Sequence, residues 1–418
     1  MKTIKLDHIA KIEGHAKLTI KIEGGKVKKS HLEIFEGARY FEALIKGRRY
    51  DEVPYLTSRI CGVCSQAHLM ASILAIEDAF KIVPSEQVRL LRELLTLGGM
   101  IQSHAVHLFF MTLQDYLGFE SAIEMAGKRR DLITLGLKVK STGTDIATVI
   151  GGRDYHPITA EVGGFSRIPP KKELDNLLSK LINAKSDFIK TAKLFFKLEF
   201  PMIERYVQHF ALMKSNSYPV LEGKISCHGT YCIENKDYLN YFKEHIQKGS
   251  PAKYVLFKGK PFFVGALARM NLNYEFLSND ATKYYVKSNN PYSNVIAQAT
   301  EMVHFLDRCI EIIKQLKPEQ EAVPDINPKP GRGMSVTEAP RGLLFHDYEF
   351  DIRGYVRKAN ITTPTVLNLK NIEEDIKILI PKILHKTKDQ IIMDIEKLVR
   401  AYDPCISCST HFLDVVFE

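Results

Sequence analysis

Two Cys-x-x-Cys pairs, Cys61/Cys64 and Cys405/Cys408, stand about 340 residues apart in a chain of 418. Nothing else in the sequence restricts the fold as strongly, because a fold that uses both pairs at one site must bring nearly opposite ends of the chain together. Two intervening residues let a tight turn aim both sulfurs of a pair at one metal ion. The spacing alone leaves three readings open. A closed four-cysteine zinc site is one, although its pairs are commonly about 15 to 20 residues apart. A dithiol redox motif is the second, and it needs one pair rather than two. A centre built on a softer transition metal is the third. The other three cysteines, Cys227, Cys232 and Cys309, fit no ligand spacing and read as buried thiols.

Composition narrows the setting. With 45% hydrophobic residues, 10% aromatic residues and 25 Gly in no fixed period, collagen, coiled-coil arrays and disordered tails are excluded. The formal charge of +9 arises from 58 Lys plus Arg against 49 Asp plus Glu, with no run of five or six like charges, so nucleic acid is not an expected partner. The start of the chain has no apolar h-region and no stretch of 18 apolar residues occurs, which predicts neither a signal peptide nor a membrane segment. The expected location is cytoplasmic, where thiols more often bind metal or do redox chemistry than form disulfides.

Along the chain, Leu18, Ile20 and Ile22 alternate on one face of a strand, followed by Gly24-Gly25 and a return strand from Val27 to Ile34, so a β-hairpin is expected over about residues 1–35. A helical period runs from Ser85, a plausible N-cap, to about Leu117. Further helices are expected from Lys171 to about Phe196, from Ser293 to Gln315, and from Ile372 to Tyr402 with a loop interrupting the last. Gly and Pro gather between Ser141 and Pro170 and from Pro318 to Gly333, which predicts long ordered loops. The stretch Tyr348 to Ile361 alternates enough for a short hairpin. The fold class is therefore mainly α (α+β), with one large domain over residues 1–418 built on a bundle of long helices with small peripheral β-sheets.

The flanks of the cysteine pairs carry more. The first reads Arg59-Ile60-Cys61-Gly62-Val63-Cys64 with His68 beyond it, and the second Asp403-Pro404-Cys405-Ile406-Ser407-Cys408 with His411 beyond it. Ile12-Glu13-Gly14-His15 and Arg39-Tyr40-Phe41-Glu42 precede them, and Glu338-Ala339-Pro340-Arg341-Gly342 and Pro364-Thr365 lie between. In this order the motifs resemble the large, catalytic subunit of nickel-iron hydrogenases, of the cytoplasmic cofactor-linked group.

The resemblance implies that all four cysteines bind nickel, with Cys64 and Cys408 also bridging to an iron that carries carbon monoxide and cyanide. It implies that Glu13 takes the proton of heterolytic H2 cleavage from Cys405, and that Arg341 lies above the metals and shares in that step. For Glu13 taken alone, a surface carboxylate at a strand end is the plain reading, and only the surrounding motif reverses it. Arg341 and the hydroxyl and backbone of Thr365 after Pro364 would face the iron's diatomic ligands. His68 would adjust a cysteine sulfur by hydrogen bonding. Glu42, the Ile361 carbonyl and His411 match positions that hold magnesium or iron near the C-terminus. Residues 412–418 match a tail that a nickel-dependent maturation endopeptidase removes, although a retained end fits as well.

One departure is visible: some members carry Asp before the His104-x-x-His107 pair, and here Ser103 stands there. His104 and His107 share a helix face, and core packing with satisfied hydrogen bonds is their plain reading. The stretch Arg153-Asp154-Tyr155-His156-Pro157 resembles a segment that faces the partner's nearest cluster. With no spare cluster cysteines, the chain is expected to pass electrons to an iron-sulfur small subunit. Flavin or diaphorase subunits, or other electron-transfer subunits, would then carry them to NAD(P), a deazaflavin or ferredoxin. The alternatives are a non-catalytic relative resembling a respiratory complex I subunit, against which the four intact cysteines argue, and a structural zinc protein.

Overall fold

The computed structural model describes residues 2–24, 26–34, 40–203, 205–227, 231–246 and 252–410. The expectations for Arg39, His411 and residues 412–418 fall outside these residues.

Strand β2 (Ala16–Glu23) buries Leu18, Ile20 and Ile22 and pairs antiparallel with β3 (Lys26–Ile34), as the alternation predicts. The opening unit is larger than a hairpin, because β1 (Lys2–Leu6) pairs with the other edge of β2 and sets Leu6 opposite Leu18 and Ile4 opposite Ile20. Ile4 and Leu6 share the same period of two, which puts them on the buried face.

Helix α1 (Ser65–Phe80) follows the first cysteine pair and is buried on nearly every side from Ser65 to Ile73. A helix without a wet face leaves no amphipathic period to read. Helix α2 (Glu86–Val106) begins at Ser85, whose Oγ accepts from Val88 N–H at 3.2 Å. It then widens into a π-helical turn over His107–Thr112 before a last helical segment, Leu113–Leu117. The stretch Glu86–Leu117 is long and apolar enough to cross a membrane, but 83% of its most apolar window is buried inside the chain, as in a core helix.

Helix α3 (Arg130–Gly151) corrects the loop expected from Ser141 onward; the irregular stretch begins only after Gly151. Its glycines serve packing rather than a turn. A Cβ on Gly143 would stand 2.6 Å from Gly98 O, so two small residues let α3 and α2 touch backbone to backbone. Helices α4 (Lys171–Phe196), α5 (Ala266–Asn273) and α6 (Ser293–Gln315) come next, α4 and α6 with the expected limits.

Strands β4 (Gly331–Ala339), β5 (Gly342–Phe350) and β6 (Val356–Thr362) form an antiparallel sheet in that order. The hairpin expected at Tyr348 thus starts earlier and gains a third strand. Residues Gly342 to Tyr348 are buried on both faces, so no alternation marks them. Helix α7 (Pro364–Ile383) has Pro364 in its first turn and α8 (Lys388–Ala401) opens on a capping box of Thr387 and Gln390. The expected interrupted helix is this pair, begun eight residues before Ile372 by the proline. One contiguous apolar core joins the opening sheet, the helices and the second cysteine pair.

Candidate metal centre

Each cysteine pair is presented by a short turn at a helix end. Cys61 follows the single 3-10 turn Ser58–Ile60, and Cys64 is the residue from which α1 starts, its carbonyl accepting from His68 N–H at 3.2 Å. The helix dipole favours ionisation at such a place, but against hydrogen bonds from Cys405 and Cys408 the bond with Cys61 and burial raise the Cys64 thiol. The second pair comes after α8, where Asp403 takes a left-handed conformation, φ 50°, that turns the chain back. Glu13 holds that segment from across the molecule. It forms a parallel β-bridge with Cys405, its carbonyl accepts from Ile406 N–H at 2.9 Å, and its Oε2 accepts from Ser407 N–H at 3.0 Å.

The four thiol sulfurs lie within 4.8 Å of one another, all buried. Cys61 Sγ is 3.3 Å from Cys405 Sγ, Cys64 Sγ is 3.2 Å from Cys408 Sγ, and Cys405 and Cys408 are 2.9 Å apart. Cys405 Sγ also lies 3.1 Å from Glu13 Oε2, so the carboxylate reaches both backbone and sulfur of the second pair. Hydrogen bonds from Cys405 and Cys408 hold Cys61 well below the ordinary thiol range, whereas burial pushes Cys405 and Cys408 well above it. Four buried thiols packed this closely favour a cation that lets them ionise together, and an all-sulfur donor set suits a thiophilic transition metal. The residues present therefore fit a nickel-iron group.

Arg341 stands at the tip of the β4–β5 hairpin. Ala339 pairs with Gly342, which makes Pro340-Arg341 the two residues of a tight turn. Gly342 has φ 127°, and a Cβ there would meet Gly265 N at 2.8 Å, so the position requires glycine. The guanidinium donates to Asp403 O at 2.7 Å, Asp403 Oδ1 at 2.8 Å and Ser103 Oγ at 3.3 Å. Burial opposes its charge, but Asp403 and the cysteine sulfurs more than offset this and keep it protonated. The turn is braced by Arg269 of α5, which donates to Ala339 O at 2.9 Å and Pro340 O at 3.0 Å. Glu338 of the same motif points away from the sulfurs, accepting from Leu212 N–H at 2.8 Å and from Arg269 at 3.0 Å.

The remaining expected residues divide. His68 Nε2 is 3.7 Å from Cys408 Sγ, and burial pushes its ring down to about 4, so it is neutral. Thr365 Oγ1 accepts from Cys405 N–H at 2.9 Å, and its neighbour Thr363 donates to Cys408 O at 2.9 Å, so the start of α7 at Pro364 is stitched to the second pair. His104 pairs with Glu301 at 3.0 Å, and His107 sits between Gln298 Oε1 at 2.6 Å and Arg400 O at 2.8 Å, which agrees with packing roles. The His156 ring bonds Ser58 O at 3.0 Å and its N–H donates to Ser65 Oγ at 3.0 Å, folding its loop against the first cysteine pair.

Glu42 accepts from Ile361 N–H and from Lys253 Nζ, both at 2.8 Å, away from the sulfurs. Lys253 also reaches Asn360 Oδ1 at 2.6 Å and Glu244 at 3.2 Å. Burial raises the Glu42 carboxyl, with Lys253 opposing. Cys227 and Cys309 are buried, but Cys232 is exposed, since it occupies the outward face of the short strand Tyr231–Ile233. Sequence reasoning assigned no role to Asp403 or Arg269. Asp403 had a signal in its place beside Pro404-Cys405; Arg269 had none.

A family model described as nickel-dependent hydrogenase matches residues 39–135 and 196–411. The alpha subunit of sulfhydrogenase 1 of Pyrococcus furiosus is 36% identical over 98% of this chain and 97% of its own length. A chain of the F420-non-reducing hydrogenase vhc of Methanococcus voltae is 28% identical over 98% of this chain and 95% of its own. Among solved structures, an NAD+-reducing [NiFe]-hydrogenase in the H2-reduced state superimposes with a TM-score of 0.88 at 24% identity, covering 98% of this chain and all of that one. The Ni-Fe-Se hydrogenase of D. vulgaris Hildenborough gives 0.81 at 22% identity with the same coverage, and both likenesses establish the fold. The chain belongs to the nickel-dependent hydrogenase family, as a large subunit that activates H2.

Proposed function

We propose that this chain splits H2 reversibly and heterolytically, and that Cys61, Cys64, Cys405 and Cys408 would hold the nickel-iron centre this needs, Cys64 and Cys408 being the two that would be shared with an iron expected to carry carbon monoxide and cyanide. The observation that carries this reading is the gathering of four buried sulfurs within 4.8 Å, with the Glu13 carboxylate 3.1 Å from one of them. When bound, such a centre supplies the redox and Lewis-acid chemistry that weakens the H–H bond. Glu13 accepts a proton at Oε2 from Cys405 Sγ and starts its way to solvent; general-base help of this kind contributes typically ~10²–10⁴ in rate. Arg341 keeps a fixed positive charge over the site, held by Asp403, with Ser103 rather than a second carboxylate on its other side. Burial around Arg341, Pro364 and Thr365 excludes water from the reacting face.

A second ion, magnesium or iron, is proposed at Glu42, the Ile361 carbonyl and His411. Glu42 and Glu244 gather two carboxylates around Lys253, and hard oxygens suit magnesium. Electrons leave through an iron-sulfur small subunit docked at the loop Arg153–Pro157, which lies against the first cysteine pair. Onward transfer runs through flavin-bearing or other electron-transfer subunits to NAD(P), a deazaflavin or ferredoxin in the cytoplasm. The curated relatives, named as single subunits of hydrogenases, support an assembly of this kind.

Metal analysis of the purified complex tests the reading. About one nickel and at least one iron per chain, with infrared stretches of iron-bound carbon monoxide and cyanide, is the expected result. Zinc alone would overturn it.

A further inference from the structure

A cavity of about 720 Å³ opens between the start of α2, the second half of α6 and the segment 214–222, and none of the four clustered cysteines lines it. Its walls are aliphatic at Leu74, Leu90, Val220 and Leu277 and aromatic at Tyr218 and Phe276. Two of them are fixed from behind: the Tyr218 hydroxyl donates to Glu301 Oε1 at 2.6 Å, and Arg308 holds Glu93 through two bonds of 2.7 and 3.1 Å. Preformed cavities of ~300–1,000 Å³ with apolar walls and a few placed polar groups take small organic molecules. The polar group placed here is His304, whose ring lines the cavity, packs 4.8 Å from that of Tyr218 and is 8% exposed. We propose that the cavity binds an uncharged aromatic carbonyl compound, held by a hydrogen bond from His304 Nε2–H to the carbonyl oxygen.

His304 Nδ1 accepts from Ser278 N–H at 3.1 Å, so the one proton of a neutral ring sits on Nε2. Burial pushes the ring down to about 4, which keeps it neutral at ordinary pH. No described residue accepts from Nε2, and a donor held in a nearly dry place without an acceptor is costly until a ligand oxygen meets it. The charges around the cavity answer one another: Lys214 stands 3.5 Å from Glu222, Arg308 serves Glu93 and Glu311, and Arg92 is paired with Glu77. Glu86 and Arg89 remain without an ion pair among the described residues, one of each sign and both exposed. Inside, no charge is left over to balance a buried ion, so the buried part of the ligand is uncharged. The rings of Tyr218 and Phe276 among aliphatic side chains favour an aromatic body, and the single donor calls for one acceptor, which a carbonyl oxygen supplies.

Prodan, an uncharged naphthyl ketone whose emission moves to longer wavelength when its carbonyl accepts a hydrogen bond, is the probe, titrated into the intact enzyme complex. Saturable binding is expected. His304→Phe keeps a ring against Tyr218 and removes the donor, so Kd should rise roughly tenfold, with the bound emission moved to shorter wavelength. His304→Gln, whose amide N–H reaches about as far as Nε2, should keep both near their values in the unchanged enzyme. Leu90→Trp places an indole at a half-buried position on the wall and should remove the site, a result that does not depend on how well the His304 variants assemble. Binding that does not saturate, an affinity and emission unaltered in His304→Phe, or full binding by Leu90→Trp each overturns the proposal.

Discussion

Glu13 is held by its main chain as firmly as by its carboxylate, because the Cys405 bridge and the Ile406 bond use backbone atoms only. Glu13→Gln therefore keeps the scaffold: its amide oxygen still accepts from Ser407 N–H, and only the ability to take a proton from Cys405 is lost. H2 oxidation should fall by ~10²–10⁴-fold at unchanged nickel content. A variant with full metal and full rate would remove Glu13 from the proton path. The residue also shows the limit of reading a site from a sequence. Its sulfur partner is 392 positions away, and no local pattern separates it from any exposed glutamate. The Ile-Glu-Gly-His motif carried it, while Arg269, with equally distant partners and no motif, went unread.

Elements were legible where one face is wet. Helix α4 alternates buried and exposed positions at helical spacing, and its limits followed from that, while α6 is the exception, buried without a break from Ser293 to Leu306 and wet only along its last two turns. Helix α1 and strands β4 and β5 are buried on both sides, so hydrophobic period says nothing about them, and α3 was obscured by glycines that read as loop. Those buried elements are the ones that carry His68 and Arg341, which makes their mutual approach the critical dimension of the site. Gly333 measures it. A Cβ there would lie 2.2 Å from both Ala75 O and Ala79 N, backbone atoms of α1 that no rotamer change can move. Gly333→Ala should lower stability by about 1–3 kcal/mol or more, read as a drop in Tm. Gly331→Ala, whose Cβ meets nothing closer than Ala79 O at 3.5 Å, is the matched control and should be close to neutral. Equal Tm values for the two variants would show that β4 and α1 are not as tightly joined as described.

Across the whole molecule, the site depends on a buried charge hub that ties four elements together. Arg269 of α5 pairs with Glu301 of α6 and Glu338 of β4, and His104 of α2 joins through Glu301. Against burial, Arg269 and His104 hold Glu301 down to about 2, so it balances the guanidinium. Burial pushes Glu338 up to about 7 despite Arg269, because one cation cannot neutralise two carboxylates. Between the unfolded value of 4.5 and about 7 the folded chain thus keeps a proton that the unfolded chain has released. The proton-linked stabilisation is complete below 4.5, declines as pH rises, and is gone once Glu338 ionises in the folded state above 7. Thermal unfolding of the complex should therefore show Tm falling between about pH 5 and 8. Glu338→Gln, neutral at every pH and keeping one acceptor oxygen for either Leu212 N–H or Arg269, should flatten that slope. The same slope in both proteins would mean that Glu338 is already ionised in the hub, and that the turn carrying Arg341 is held by two full charges on Arg269 rather than one.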